Sequence, residues 1–136
     1  MGKKQRRIGQ VFERQVAKLL QVCFPDAERG YQYRGGDDQP DVDGTPFWVE
    51  AKRRTNKSEL SFPSLIRFLH KAHADAKAAK DKRIPILVTK LKDTPSTEIL
   101  VSMFAHDFIR TVEKHFYRET EEYIPYVGLD ERETND

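Results

Sequence analysis

The chain has 136 residues, 34% of them charged and 38% apolar, and a formal net charge of +2. That composition fits one domain with a modest core and a heavily charged surface, and argues against disorder. Its longest apolar run, Ile84 to Val88, is far too short for a membrane span, and the lone Cys23 excludes an internal disulfide or a multi-cysteine zinc site.

In chain order, Gln5 to Cys23 reads as an amphipathic helix. Ile8, Val11, Phe12, Val16, Leu19, Leu20 and Cys23 recur on one broad arc, with Gly9 inside it, and Pro25 closes the element. Gly9 is expected to let another stretch of backbone approach closely. Tyr31 to Asp38 is a loop or first strand ending near Gly35-Gly36. Pro40-Asp41-Val42 and Phe47 to Lys52 are short strands joined through the Asp43-Gly44 turn signal. A second helix is expected from about Pro63 to Lys80, with Phe62, Leu65, Ile66, Leu69, Ala72, Ala76 and Ala79 facing inward. Ile84 to Lys90 reads as a strand covered on both faces, Glu98 to Phe104 as another strand, and His106 to Arg118 as a third helix. The order α-β-β-α-β-β-α describes an α/β domain, a small mixed sheet flanked by helices, over residues 1–118. Residues 119–136 form an acidic C-terminal tail without a clear period.

Charge divides the chain unevenly. Residues 1–92 carry +9 and residues 93–136 carry −7. A basic body favours polyanions through phosphate contacts and counterion release, and the acidic end cannot lie along the same polyanion. The basic N-terminus is followed by no apolar segment, so a secretory signal is not expected and a cytoplasmic location is.

The chemistry-bearing segment is Pro40-Asp41 followed by Glu50-Ala51-Lys52. Alternation along a strand sends Trp48, Glu50 and Lys52 to one face and Phe47, Val49 and Ala51 to the other. Asp41 on the paired strand lies within reach of Glu50. Two carboxylates meeting at one point make a hard oxygen site suited to Mg²⁺ or Mn²⁺, which would bind a phosphate oxygen and activate water. Lys52 would sit beside the nucleophile. Trp48 is expected to pack under a helix, Asp43 to serve the turn, and Asp37 and Asp38 to be loop residues. His70 and His73 lack a third nitrogen or sulfur ligand in sequence.

Pro-Asp, a short spacer and Glu-x-Lys resemble the PD-(D/E)-x-K nuclease superfamily. Arg6-Arg7-Ile8-Gly9-Gln10-Val11-Phe12-Glu13-Arg14 resembles the basic, glycine-containing first helix of archaeal and phage Holliday-junction resolvases. Tyr31-Gln32-Tyr33-Arg34-Gly35-Gly36, Phe47 to Lys52 and Ile84 to Val88 are similar to phage resolvase-type endonucleases. The resemblance covers roughly residues 5–110 and implies a restriction-endonuclease-like fold and a Mg²⁺-dependent endodeoxyribonuclease of DNA recombination and repair. It assigns Asp41, Glu50 and the Ala51 main-chain carbonyl to the metal, Lys52 to catalysis, and Glu13 to the metal directly or through water. It further implies a homodimer acting on branched DNA such as four-way junctions, in the host cytoplasm if phage-encoded. Related nucleases often place a polar residue on the next helix, where only His70, Lys71 and His73 are available.

Lys3, Lys4, Arg6, Arg7, Arg34, Arg53, Arg54 and Lys57 are expected to line a DNA path through sequence-independent phosphate contacts. Gly35 and Gly36 would let the backbone at Arg34 approach the DNA. Phe104, Phe108, Ile109, Val112 and Phe116 are either dimer interface or ordinary core. The alternatives are a nuclease acting on duplex, flaps or ends, a non-catalytic DNA-binding module of the same fold, and a protein whose basic face binds something other than DNA.

Overall fold

The β-branched, proline-bounded run at residues 84–91 and the alternating run at 47–54 are the two long strands, and everything that positions the site is built around their pairing. A computed structural model describes residues 2–30 and 39–116. Its elements are α1 (Lys3–Leu20), β1 (Glu28–Arg29), β2 (Val42–Asp43), β3 (Phe47–Arg54), α2 (Phe62–Ala78), β4 (Ile84–Leu91), β5 (Leu100–Ser102) and α3 (Ala105–Phe116). Short 3₁₀ turns occupy Lys57–Leu60 and Ser96–Glu98. The chain divides after Met103 into two units, and α3 belongs to the second. The loop or strand expected at Tyr31–Asp38, with Arg34, Gly35 and Gly36, and the tail from residue 119 lie outside the described residues.

The first unit is α/β. Its five strands run in the order β1-β2-β3-β4-β5, and only the central β3–β4 pair is parallel. A parallel pair needs a crossover, and α2 supplies it. Alternation along β3 and β4 then gives each helix its own face. Val49, Ile86 and Val88 pack with Phe12, Val16 and Ala17 of α1, whereas Trp48 packs with Ala72 and Ala76 of α2. Pro85 through Thr89 are all buried, as a strand covered on both sides requires.

Several expectations shift. β1 adds a strand to the expected order, and its two residues carry no readable periodicity. Helix α1 ends at Leu20, three residues early, because the chain turns through Gln21–Cys23 before Pro25. Of the expected arc of α1, Phe12 and Val16 are buried and Leu20 packs against the same cluster, Ala17 joins them, and Val11 and Leu19 are exposed. Phe62 opens α2 and is exposed rather than inward.

Gly9 also departs from expectation. A Cβ there would meet no heavy atom within 4 Å, so no backbone approaches it. Gly9→Ala is therefore expected to raise stability by about 0.5–1 kcal/mol through helix propensity and a less mobile unfolded chain, read as a higher urea midpoint at unchanged slope.

The far end of β3 is fixed by one arginine. Arg83, ahead of β4, donates from one terminal nitrogen to Asp43 Oδ1 at 2.6 Å and holds Asp81 through Nε and the other terminal nitrogen, at 3.0–3.1 and 2.7 Å. These bonds keep the Asp81 carboxyl below the usual range. Asp43 also accepts from the Gly44 N–H at 2.9 Å, and Gly44 adopts φ +80°, so the expected turn chemistry is present together with the ion pair.

Candidate active site

Asp41 enters the sheet just before β2 and is held at three points. Its N–H donates to the Val49 carbonyl at 2.8 Å, its carbonyl accepts from Gly30 N–H at 2.9 Å, and its carboxylate accepts from Ala51 N–H at 2.8 Å. Gly30 permits this: a Cβ there would collide with the Pro40 carbonyl oxygen. Pairing of β2 with β3 stops at Val42–Val49, so the Asp41 side chain takes the place of the next ladder acceptor. Val49 and Ala51, two residues apart, turn their main-chain groups toward the same edge. The Ala51 carbonyl thus faces the side on which Asp41 sits.

Glu50, one residue along β3, presents its carboxyl beneath α2. Trp48 Nε1 donates to Glu50 Oε1 at 3.1 Å, and the Asp41 carboxyl is a second hydrogen-bond partner. Trp48 is fully buried against α2, as expected from packing, and also orients the acid. Burial, then the Asp41 charge and the bond between the two carboxyls, push Glu50 up to about 8, while Trp48 and Lys52 act in the opposite direction. The Glu50 carboxyl therefore holds its proton well above the usual carboxylate range.

Glu13, on α1, lies within the field of Asp41. Its pKa is raised, first by burial and then by the Asp41 charge, against the pull of Arg29. Arg29 Nε, on β1, donates to Glu13 Oε2 at 2.7 Å. Asp41 is therefore the centre to which both glutamates respond, one from each face of the sheet. Among the described residues, no group of three or more His, Cys, Asp or Glu side chains stands close enough to hold a metal ion. The oxygen donors gathered are two side-chain carboxylates and the Ala51 carbonyl. Mg²⁺ keeps several waters and takes one or two protein carboxylates, so this donor set fits it, and the raised Glu50 carboxyl marks negative charge that a cation would offset.

Lys52 shares the Glu50 face and lies 5.5 Å from the centre of the Phe68 ring on α2. The two helix histidines join no metal-binding group, and Lys71 pairs with Asp75 at 2.8 Å. Of the expected DNA-path residues, Lys3, Lys4, Arg6 and Arg7 are exposed on the first turns of α1. Arg53 and Arg54 are half-buried at the end of β3, and Lys57 is exposed just after it. Sequence reasoning missed Arg29, Arg67 and Phe68. Arg29 sits in a two-residue strand and has no motif, whereas Phe68 follows Leu65 by one helical turn and was legible as an inward position.

No family model matches the chain, and neither the curated proteins nor the solved structures contain a match to it.

Proposed function

We propose that this chain is a Mg²⁺- or Mn²⁺-dependent DNA endonuclease of PD-(D/E)-x-K type with a restriction-endonuclease-like fold, acting on branched DNA. The observation that carries the reading is the contact between the Asp41 and Glu50 carboxyls, with Lys52 on the Glu50 face. Asp41, Glu50 and the Ala51 carbonyl would hold the cation, with Glu13 beside them. When bound, a divalent ion in such a site supplies positive charge to the phosphoryl group and lowers the pKa of water.

The chain's own residues supply the rest. The Ala51 N–H and the strand bonds of Asp41 fix one carboxylate, and Trp48 fixes the other. Glu50 is largely withdrawn from water, which strengthens its electrostatic interactions. Lys52 brings an ammonium to the nucleophile and the transition-state charge. Arg29 pairs with Glu13 and offsets part of the repulsion between Glu13 and Asp41.

The junction preference and the homodimer rest on the resemblance of the first helix and the Glu-x-Lys strand to resolvases. Two symmetric cuts in a four-way junction need two sites, which a twofold dimer provides. The testing experiment incubates labelled four-way junction, flap and duplex DNA with the protein, with and without Mg²⁺. Paired cuts in the junction, dependent on the metal, are expected. Equal cutting of duplex leaves a general nuclease.

The ion pair that occupies Glu13 favours one second reading, a DNA-binding module of the same fold without catalysis. It predicts binding without cleavage in either Mg²⁺ or Mn²⁺.

A further inference from the structure

Beyond the acid pair, a cluster of positive charge lies where β3 ends under the start of α2. Lys52 and Arg54 are two residues apart on β3 and so face the same side, toward α2. Lys52 Nζ stands 5.5 Å from the centre of the Phe68 ring, and the guanidinium carbons of Arg54 and Arg67 each stand 5.4 Å from it. Three cations around one ring lie within about a Debye length of one another at 0.1 M salt. The ring's negative face offsets part of their repulsion.

The partners that orient these groups leave most of the charge in place. Arg54 donates to the Arg53 carbonyl at 3.0 Å, and Arg67 donates to Ser64 Oγ at 3.4 Å, both neutral acceptors. Among the described residues, their only ion pair is the loose one between Arg54 Nε and Glu59 at 3.9 Å. Glu50, the other acid near Lys52, is engaged by Trp48 and Asp41. Two forked guanidinium groups held by neutral oxygens, beside an ammonium, suit the non-bridging oxygens of a backbone phosphate.

We propose that Lys52, Arg54 and Arg67, gathered on the Phe68 ring, form a phosphate subsite that takes a nucleic-acid backbone phosphate flanking the one at the acid pair. Lys52 belongs to both places. Arg54 lies two residues farther along the strand, about 7 Å on, so the strand of β3 carries the nucleic acid from the acid pair toward α2. The inference rests on the nuclease reading only for the second phosphate; the binding itself does not require catalysis.

The test measures binding of a fluorescein-labelled DNA duplex and a four-way junction of equal length to the full chain in EDTA, from 50 to 200 mM NaCl. Arg54→Gln and Arg67→Gln are each expected to weaken binding about tenfold at the lowest salt and to flatten the slope of log affinity against log salt by about 0.9. Arg67→Lys retains the charge and should retain the slope, a separation that a folding defect would not produce. Lys82→Gln, an exposed charge in the α2–β4 connection at the opposite end of the strands, should leave the slope unchanged. Equal slopes for wild type and both Gln variants, an equal drop for Lys82→Gln, or no DNA binding by the wild type overturns the subsite. Cleavage with Mg²⁺ is scored separately. A slope change without wild-type cleavage removes the nuclease reading and keeps the subsite, whereas cleavage with unchanged slopes does the reverse.

Discussion

Asp41→Asn is expected to abolish Mg²⁺-dependent cleavage, by about 10³-fold or more, while leaving DNA binding intact. The magnitude corresponds to several kcal/mol of transition-state charge stabilisation, at about 1.36 kcal/mol per tenfold. Asparagine keeps a side-chain oxygen for the Ala51 N–H, so the bond that ties Asp41 to β3 can survive the change. The substitution also removes the negative charge that raises both Glu13 and Glu50. Loss of cleavage should thus come with a metal-free protein that is at least as stable at pH 8 as the parent. Single-turnover cleavage and urea unfolding on the same preparation check both halves. A variant that cuts at the parental rate removes Asp41 from the chemistry.

The metal-free protein should lose stability as pH rises from about 4.5 to about 8. Glu50 is raised from its ordinary 4.5 to about 8, so within that window the folded state binds a proton that the unfolded state has released. The stabilisation from this proton is complete below about 4.5, declines through the window and is gone above about 8. Its size is on the order of a few kcal/mol, because each tenfold gain in proton affinity on folding is worth about 1.36 kcal/mol. Urea midpoints in EDTA across pH 5–9 measure it. Glu50→Gln stays neutral and keeps an oxygen for Trp48 Nε1, so its profile should be flat over the same range. A parental profile as flat as that of the Gln variant shows that Glu50 is not raised in the folded protein. Added Mg²⁺ should restore stability at pH 8.5 in the parent and not in the variant, because binding to the folded state alone stabilises it.

The elements that the sequence disclosed were those with long periodic patterns. Ile84–Leu91 and Phe47–Arg54 read as strands because burial on two faces and alternation leave distinct signatures, and both helices of the first unit were visible from their apolar spacing. The sequence placed Asp41 within hairpin reach of Glu50, and the observed register, with Val42 opposite Val49, brings residues 41 and 50 together. What stayed hidden depends on contacts between distant segments. Glu28–Arg29 has too few residues to show a period, so the arginine that engages Glu13 across sixteen residues had no local signal. The Gly9 expectation failed because a glycine's freedom reveals that close approach is allowed, not that it occurs. Trp48 was read as packing, and its indole N–H on Glu50 shows how one side chain both fills a core and aims an acid.

Among the described residues, the sheet's outermost strands, β1 and β5, have two and three residues. So few free main-chain groups give an incoming strand little to zip onto, which guards the fold against edge-to-edge aggregation. The same brevity constrains assembly: two copies would gain little by continuing one sheet into the next, and a twofold pair must find its contact area on side-chain surfaces instead.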